Sequence, residues 1–201
     1  MFMLEEISLF LNSIQLNWNI IESIAVILSI IYVVLAVKAN IWCWFFSAIS
    51  VILYIYICVS AQLYAETGLQ IFYLLMTIYG YYNWSLIKKK TEIHQWSYSK
   101  HLIAILTGAF LTFLIGFWLT TYTEAKEPIR DSFTTVFSII ATYLVTRKVL
   151  ENWLYWIVID IVSFQLYLSR DLHLSSLLFI VYTIIAVIGY FSWTNKITPY
   201  D

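Results

Sequence analysis

Seven continuous apolar stretches divide this chain, running roughly over residues 22–37, 41–60, 67–87, 101–122, 131–146, 152–169 and 174–194. Each comes near the roughly 20 residues that a helix needs to cross a bilayer's hydrocarbon core. Within lipid, every backbone N–H and C=O must find a partner inside the protein, which leaves helices or closed barrels. Barrel strands alternate apolar and polar residues, whereas these stretches are apolar throughout, so helices are expected. Composition agrees: 62% of residues are hydrophobic and 11% charged, against roughly 45–50% and about 25% in soluble domains. The expected fold class is an all-α membrane protein with seven transmembrane helices. The lipid bilayer is its first partner, and a net charge of −1 offers no basic face for nucleic acid.

Residues 1–20 place Leu4, Ile7, Phe10, Leu11 and Ile14 at helical spacing beside Glu5, Glu6 and Asn12, which reads as an interfacial amphipathic helix, with a short extra span as the alternative. Glu5 and Glu6 stand where a signal peptide would carry basic residues, so none is expected. Cys43 and Cys58 lie in apolar stretches without CxxC spacing and read as buried thiols. With the N-terminus outside, the cytoplasmic segments hold Lys38, Lys88, Lys89, Lys90, Lys100, Arg147, Lys148 and Lys196, eight of the eleven basic residues. The positive-inside rule therefore favours an outer N-terminus and a cytoplasmic C-terminus. Trp18, Trp42, Trp84, Trp96, Trp153 and Trp193 fall near span ends, where interfacial aromatics are expected.

The chain also resembles itself. At a shift of 109 positions Ser23 meets Ser132, Ser29 meets Ser138, Lys38 meets Arg147, Tyr73 meets Tyr182, Gly80 meets Gly189 and Trp84 meets Trp193. Two three-span units are thus predicted over 21–87 and 131–195, joined by a loop and fourth helix over 88–130. Three spans reverse the chain's direction and the fourth restores it, giving a parallel 3+1+3 repeat. Substrate sites of duplicated transporters lie near the midplane where the repeats meet.

Asp160 is the most informative residue, set deep within WLYWIVIDIVSFQLY. A carboxylate near the bilayer centre costs roughly 2.5–3.5 kcal/mol on insertion scales, so it should face inward. Trp156 and Trp153, four and seven residues earlier, share its helical face, and Tyr167, seven later, has a similar heading. A carboxylate flanked by aromatic faces suits an organic cation, through charge pairing and cation–π attraction. Two other readings are a protonated carboxyl bonded to a neighbouring Ser or Tyr, and a proton carrier for coupled transport. Gln70, Tyr73, Thr77 and Tyr81 form a polar stripe able to line a passage or to bond helices together. Asn83 joins the candidate site residues, although headgroup contact is the plainer reading for it. Asn40 and Asn152 read as helix caps, and His94, His101 and His173 as solvated residues at span ends. Glu22 and Asp131 suit helix N-termini. Neither a metal-ligand spacing nor an enzyme signature occurs, so neither a cofactor nor catalysis is expected.

The stretches DSFTTVFSIIATYLVTRKVLENWLYWIVIDIVSFQLY (131–167) and LQIFYLLMTIYGYYNW (69–84) resemble the PnuC family of bacterial nicotinamide riboside transporters, with TRKVLENWLYW followed by VID as the most specific block. The resemblance runs from about Ile21 to Trp193. It implies a SWEET-like fold in the bacterial inner membrane, homotrimers, and facilitated uptake of a small vitamin substrate. It also implies a cytoplasmic kinase that traps the product, and binding residues at Gln70, Trp156 and position 160. Relatives in the nicotinamide riboside branch generally carry Asn where Asp160 stands. A full negative charge raises thiamine as an alternative cationic substrate and argues against neutral riboflavin, because burying an uncompensated charge is costly.

Overall fold

The computed structural model describes residues 20–60, 64–86, 92–124, 126–169 and 173–197. Among them run seven helices: α1 (Ile20–Val37), α2 (Cys43–Ser60), α3 (Tyr64–Leu86), α4 (Tyr98–Tyr122), α5 (Pro128–Thr146), α6 (Asn152–Leu168) and α7 (His173–Thr194). Each end falls within three residues of the expected span. The predicted helix over 1–20 and the Lys88–Lys90 run lie outside the described residues, apart from Ile20, which opens α1. Glu22 and Asp131 stand in the first turns of α1 and α5, where the helix dipole favours carboxylates, and Pro128 opens α5.

Four helices are long and apolar enough to cross a membrane by themselves: α1, α2, α4 and the Ser176–Thr194 part of α7. Of the others, α6 is apolar but shorter, and α3 and α5 are less apolar for a packing reason. On α5, Ser132, Ser138, Thr142 and Thr146 are all buried against protein, and on α3 the same holds for Thr67, Thr77 and Asn83. Helix contacts close a ring, α1–α2–α3–α5–α6–α7 and back to α1, with α4 laid against α5. The residues that α4 buries are Gly108, Thr112 and Gly116, a stripe of small residues that lets two helices approach closely. A Cβ at Gly108 would press on Phe137 and Ile140, and one at Gly116 on Ile129. The rest of α4 presents Leu102, Leu106, Phe110, Phe113 and Phe117 outward, as a lipid-facing surface must.

The α1–α2 and α5–α6 turns are built alike. Ala39 and Lys148 both take φ 54°. Asn40 N–H donates to Leu35 O and Val149 N–H to Leu144 O, each at 3.0 Å, while Ala39 N–H and Lys148 N–H reach back to Ala36 O and Val145 O. These are Schellman caps closed by a non-glycine residue in the left-handed region. The segment ahead of α4 lies on the second turn: His94 N–H donates to Lys148 O, and Leu150 N–H to His94 O.

Beside these turns the expectation of interfacial tryptophans fails for three residues. Trp84, Trp153 and Trp193 join Trp44 in one buried cluster. Trp44 meets Trp84 edge-on at 5.2 Å, Trp153 meets Trp193 edge-on at 5.4 Å, and Trp84 lies 6.4 Å from Trp193. Glycines make the fit: a Cβ at Gly80 would overlap the Trp44 ring, and one at Gly189 the Trp153 ring. The indoles also cap helices, whose last carbonyls lack partners within the helix. Trp84 Nε1–H donates to Thr146 O at the end of α5, and Trp193 Nε1–H to Ala36 O and Val37 O at the end of α1, all at 3.1 Å. Trp42, by contrast, is exposed as expected.

Candidate functional site

Asp160 stands eight residues into α6, about 12 Å along its axis, and is 3% exposed. Among the described residues its carboxylate makes no hydrogen bond and no ion pair. The reading in which a neighbouring Ser or Tyr holds a protonated carboxyl therefore has no partner in this structure. Trp156, one turn before it, is half-buried and touches both the tryptophan cluster and the Phe137–Ala141–Ile159 group. Ser163 continues the buried face of α6.

Two hydroxyl pairs stand at the same depth. Tyr73 on α3 donates to Ser138 Oγ on α5 at 2.8 Å, and Ser29 on α1 pairs with Tyr182 on α7 at 2.7 Å. Ser29 and Ser138 each lie eight residues before the end of their helix, again about 12 Å. Tyr182 is also within coulombic reach of Asp160. The two pairs exchange partners across the ring at the 109-residue spacing: Tyr73 corresponds to Tyr182 and Ser138 to Ser29. The indole caps and the Schellman turns obey the same spacing. The site does not. Asp160 corresponds to Val51, Trp156 to Ser47 and Gln70 to Phe179, and Ser47 is engaged with Thr77 at 2.7 Å. Matched residues form the frame, while the unmatched Asp160 and Trp156 supply a buried carboxyl and an indole face.

The remaining sequence candidates separate. Gln70 shares α3 with Tyr73, is half-buried, and makes no hydrogen bond with Asp160 or Trp156. Tyr167 packs against Phe179 in the α6–α7 seam, with ring centroids 5.0 Å apart. Trp153, expected beside the ligand, has its ring wedged between Gly189 and Trp193. Asn83, expected near headgroups, is buried and donates to Thr146 O at 3.1 Å. Asn152 does not cap α6, because its Nδ2 donates back to Val149 O, whereas Asn40 Oδ1 does accept from Trp42 N–H ahead of α2. His101 is not solvated: its Nδ1 meets Tyr155 Oη at 3.1 Å and its Nε2 lies 3.6 Å from Glu151, fastening α4 to the start of α6. The side chain of His173 lies outside the described residues. In the sequence Ser29, Ser138 and Tyr182 stand out only as repeat matches or mid-span residues, and not as groups at the depth of Asp160. Their shared spacing was the signal.

Among the described residues, no group of three His, Cys, Asp or Glu could hold a metal ion. A groove of about 190 Å³ lined by Ile161, Phe164, Ile180, Thr183 and Ile184 lies on the outer face of α6 and α7, where Ile161, Ile180 and Ile184 are exposed. Its lining offers nothing to orient a polar ligand. The ring of helices thus brings together, at one depth, a buried carboxyl without a bonding partner, a half-buried indole and two hydroxyl pairs.

Comparison with known proteins places the chain in a family. The nicotinamide riboside transporter PnuC of Escherichia coli (strain K12) is 29% identical over 210 aligned positions, covering 90% of this chain and 87% of that protein. PnuC of Neisseria mucosa is 27% identical, covering 88% and 73%. The riboflavin/roseoflavin transporter RibM of Streptomyces davaonensis is 21% identical, covering 83% and 81%. A crystal structure of the vitamin B3 transporter PnuC superposes with a TM-score of 0.70 at 25% identity, covering 88% of this chain and 81% of that one. The model of the nicotinamide mononucleotide transporter family matches residues 19–195, and the chain belongs to that family of multi-pass membrane transporters.

Proposed function

We propose that this chain carries nicotinamide riboside across the bacterial inner membrane by facilitated diffusion. The observation that carries the reading is the Asp160 carboxylate, buried without a partner one turn from the Trp156 indole. Nicotinamide riboside presents a cationic aromatic ring and a sugar: the ring charge suits Asp160, its face suits Trp156, and its hydroxyls suit Gln70 and the Tyr–Ser pairs. The family's name speaks of a mononucleotide, which adds a phosphate. Every described Lys and Arg stands in a connection or an end turn of a helix, so a phosphate at Asp160's depth would meet a carboxylate and no cation. The riboside is therefore the better fit. The relatives named for nicotinamide riboside do not favour the thiamine or proton-coupled readings that the charge at position 160 raised.

The exchange of partners between α1–α3 and α5–α7 supports a parallel 3+1+3, SWEET-like repeat whose two units rock about the site. The units are 21–87 and 131–195, with 88–130 as the connector. Lys38, Arg147, Lys148 and Lys196 gather at one end, which supports a cytoplasmic C-terminus. A cytoplasmic kinase acting on the product, and assembly as a homotrimer, complete the proposal by family resemblance.

A thermal-shift series on the purified protein tests the substrate. At one hundred times its dissociation constant, nicotinamide riboside should stabilise the protein by about 2.7 kcal/mol, while thiamine, riboflavin and nicotinamide mononucleotide at equal concentration shift it less. A larger shift with thiamine, riboflavin or the mononucleotide would overturn the assignment.

A further inference from the structure

We propose that the four-tryptophan cluster is a gate closing the lysine-bearing end of the passage, and that it parts between Trp84 and Trp193. The proposal rests on the transport reading above but not on the identity of the substrate.

Each helix set carries a rigid pair. Trp44 is wedged against Gly80 and meets Trp84 edge-on; Trp153 is wedged against Gly189 and meets Trp193 edge-on. Between the sets the contact is looser, with Trp84 and Trp193 at 6.4 Å and tilted by 54°. Hydrogen bonds across this seam end on carbonyls at helix termini. Trp84 and Asn83 donate to Thr146 O, and Trp193 and Ser192 donate to Ala36 and Val37. Lys196 Nζ reaches Lys38 O at 2.9 Å, and Lys148 Nζ sits 4.5 Å from the Trp84 ring. Terminal carbonyls released at a basic, water-facing end can be solvated, which mid-helix carbonyls cannot.

The closed cluster also holds two orphaned donors. Trp44 Nε1 and Trp153 Nε1 are buried without an acceptor, although both residues are 2% exposed. They are equivalent at the 109-residue spacing. A static core would have little reason to keep the same unsatisfied group twice. In a gate, water entering as the two sets part satisfies both, so opening regains hydrogen bonds while it gives up aromatic contact.

Cys43 is a native reporter, fully buried in this cluster, while Cys58 stands at the opposite end of α2. In a Cys58→Ser background, Trp84→Phe with Trp193→Phe keeps an aromatic ring at each position, smaller than the indole, and removes the two cross-seam N–H donors. Labelling of Cys43 by a water-soluble maleimide in the purified full chain should accelerate about fivefold to tenfold, the effect of losing two membrane-type hydrogen bonds. Labelling of Cys58 in the matching Cys43→Ser background should not change. Unchanged labelling of Cys43 would overturn the proposal. So would equal acceleration at Cys58, which marks general loosening, or rapid labelling of Cys43 without the tryptophan substitutions. Because the readout needs no ligand, its failure is separate from failure of the nicotinamide riboside reading.

Discussion

Asp160→Ala weakens nicotinamide riboside binding by about 30- to 100-fold, which is about 2–3 kcal/mol, and the apo protein does not lose stability. The first expectation follows from charge. Two opposite charges about 4 Å apart interact by about 4 kcal/mol at an effective dielectric of 20, and part of this is offset when the ligand's ring gives up its hydration. Trp156 retains its cation–π share of about 0.5–2 kcal/mol, so binding falls without vanishing. The second expectation follows from the missing partner. A carboxylate that neither bonds nor pairs adds nothing to the closed bundle, and removing it relieves roughly 2.5–3.5 kcal/mol of insertion cost. Calorimetry with nicotinamide riboside and with its uncharged dihydro form checks the first expectation, because only the cation should discriminate between wild type and variant. Thermal unfolding without ligand checks the second. Equal affinities for the cation, or a marked loss of apo stability, would remove Asp160 from the binding role and make it a structural residue.

Trp153→Ala has the largest expected effect on stability, a loss of about 3–5 kcal/mol. The ring fills the space that Gly189 leaves open and braces Trp193, whose N–H caps α1. Its removal leaves a cavity at the seam of α6, α7 and α1, and packing of this kind holds helices together where lipid provides no hydrophobic drive. Trp156→Ala should do the reverse, lowering ligand affinity while shifting the unfolding transition much less. The two residues are neighbours on one helical face, so thermal unfolding and ligand titration of both variants separate the brace from the binding face. If Trp153→Ala kept full stability and lost the ligand, the original reading of Trp153 as a contact residue would stand.

That contrast shows what the sequence could and could not reveal. Span positions were legible because lipid imposes a length and a polarity on each helix, and every helix end lay close to its expected place. The burial of Asp160 was legible from the cost of exposing a carboxylate to hydrocarbon. The destinations of Trp84, Trp153 and Trp193 were not. An indole near a span end suits both the headgroup layer and a helix seam, and the choice turns on Gly80 and Gly189 lying opposite a ring from another helix. His101 departs from its expected place for a similar reason: its partners Tyr155 and Glu151 come from α6 and its N-cap, fifty or more residues away, and no local pattern encodes how α4 docks. The Gly108–Thr112–Gly116 stripe is the one packing signal that spacing alone displays and that the sequence reading passed over.

Uptake of radiolabelled nicotinamide riboside into proteoliposomes holding only this protein, with no gradient except that of the substrate, tests the central claim most directly. The account predicts entry that stops when inner and outer concentrations are equal, and entry slowed in proportion to lost binding for Asp160→Ala at low substrate. Liposomes that remain empty, accumulation beyond equality, or uptake indifferent to Asp160 would contradict it.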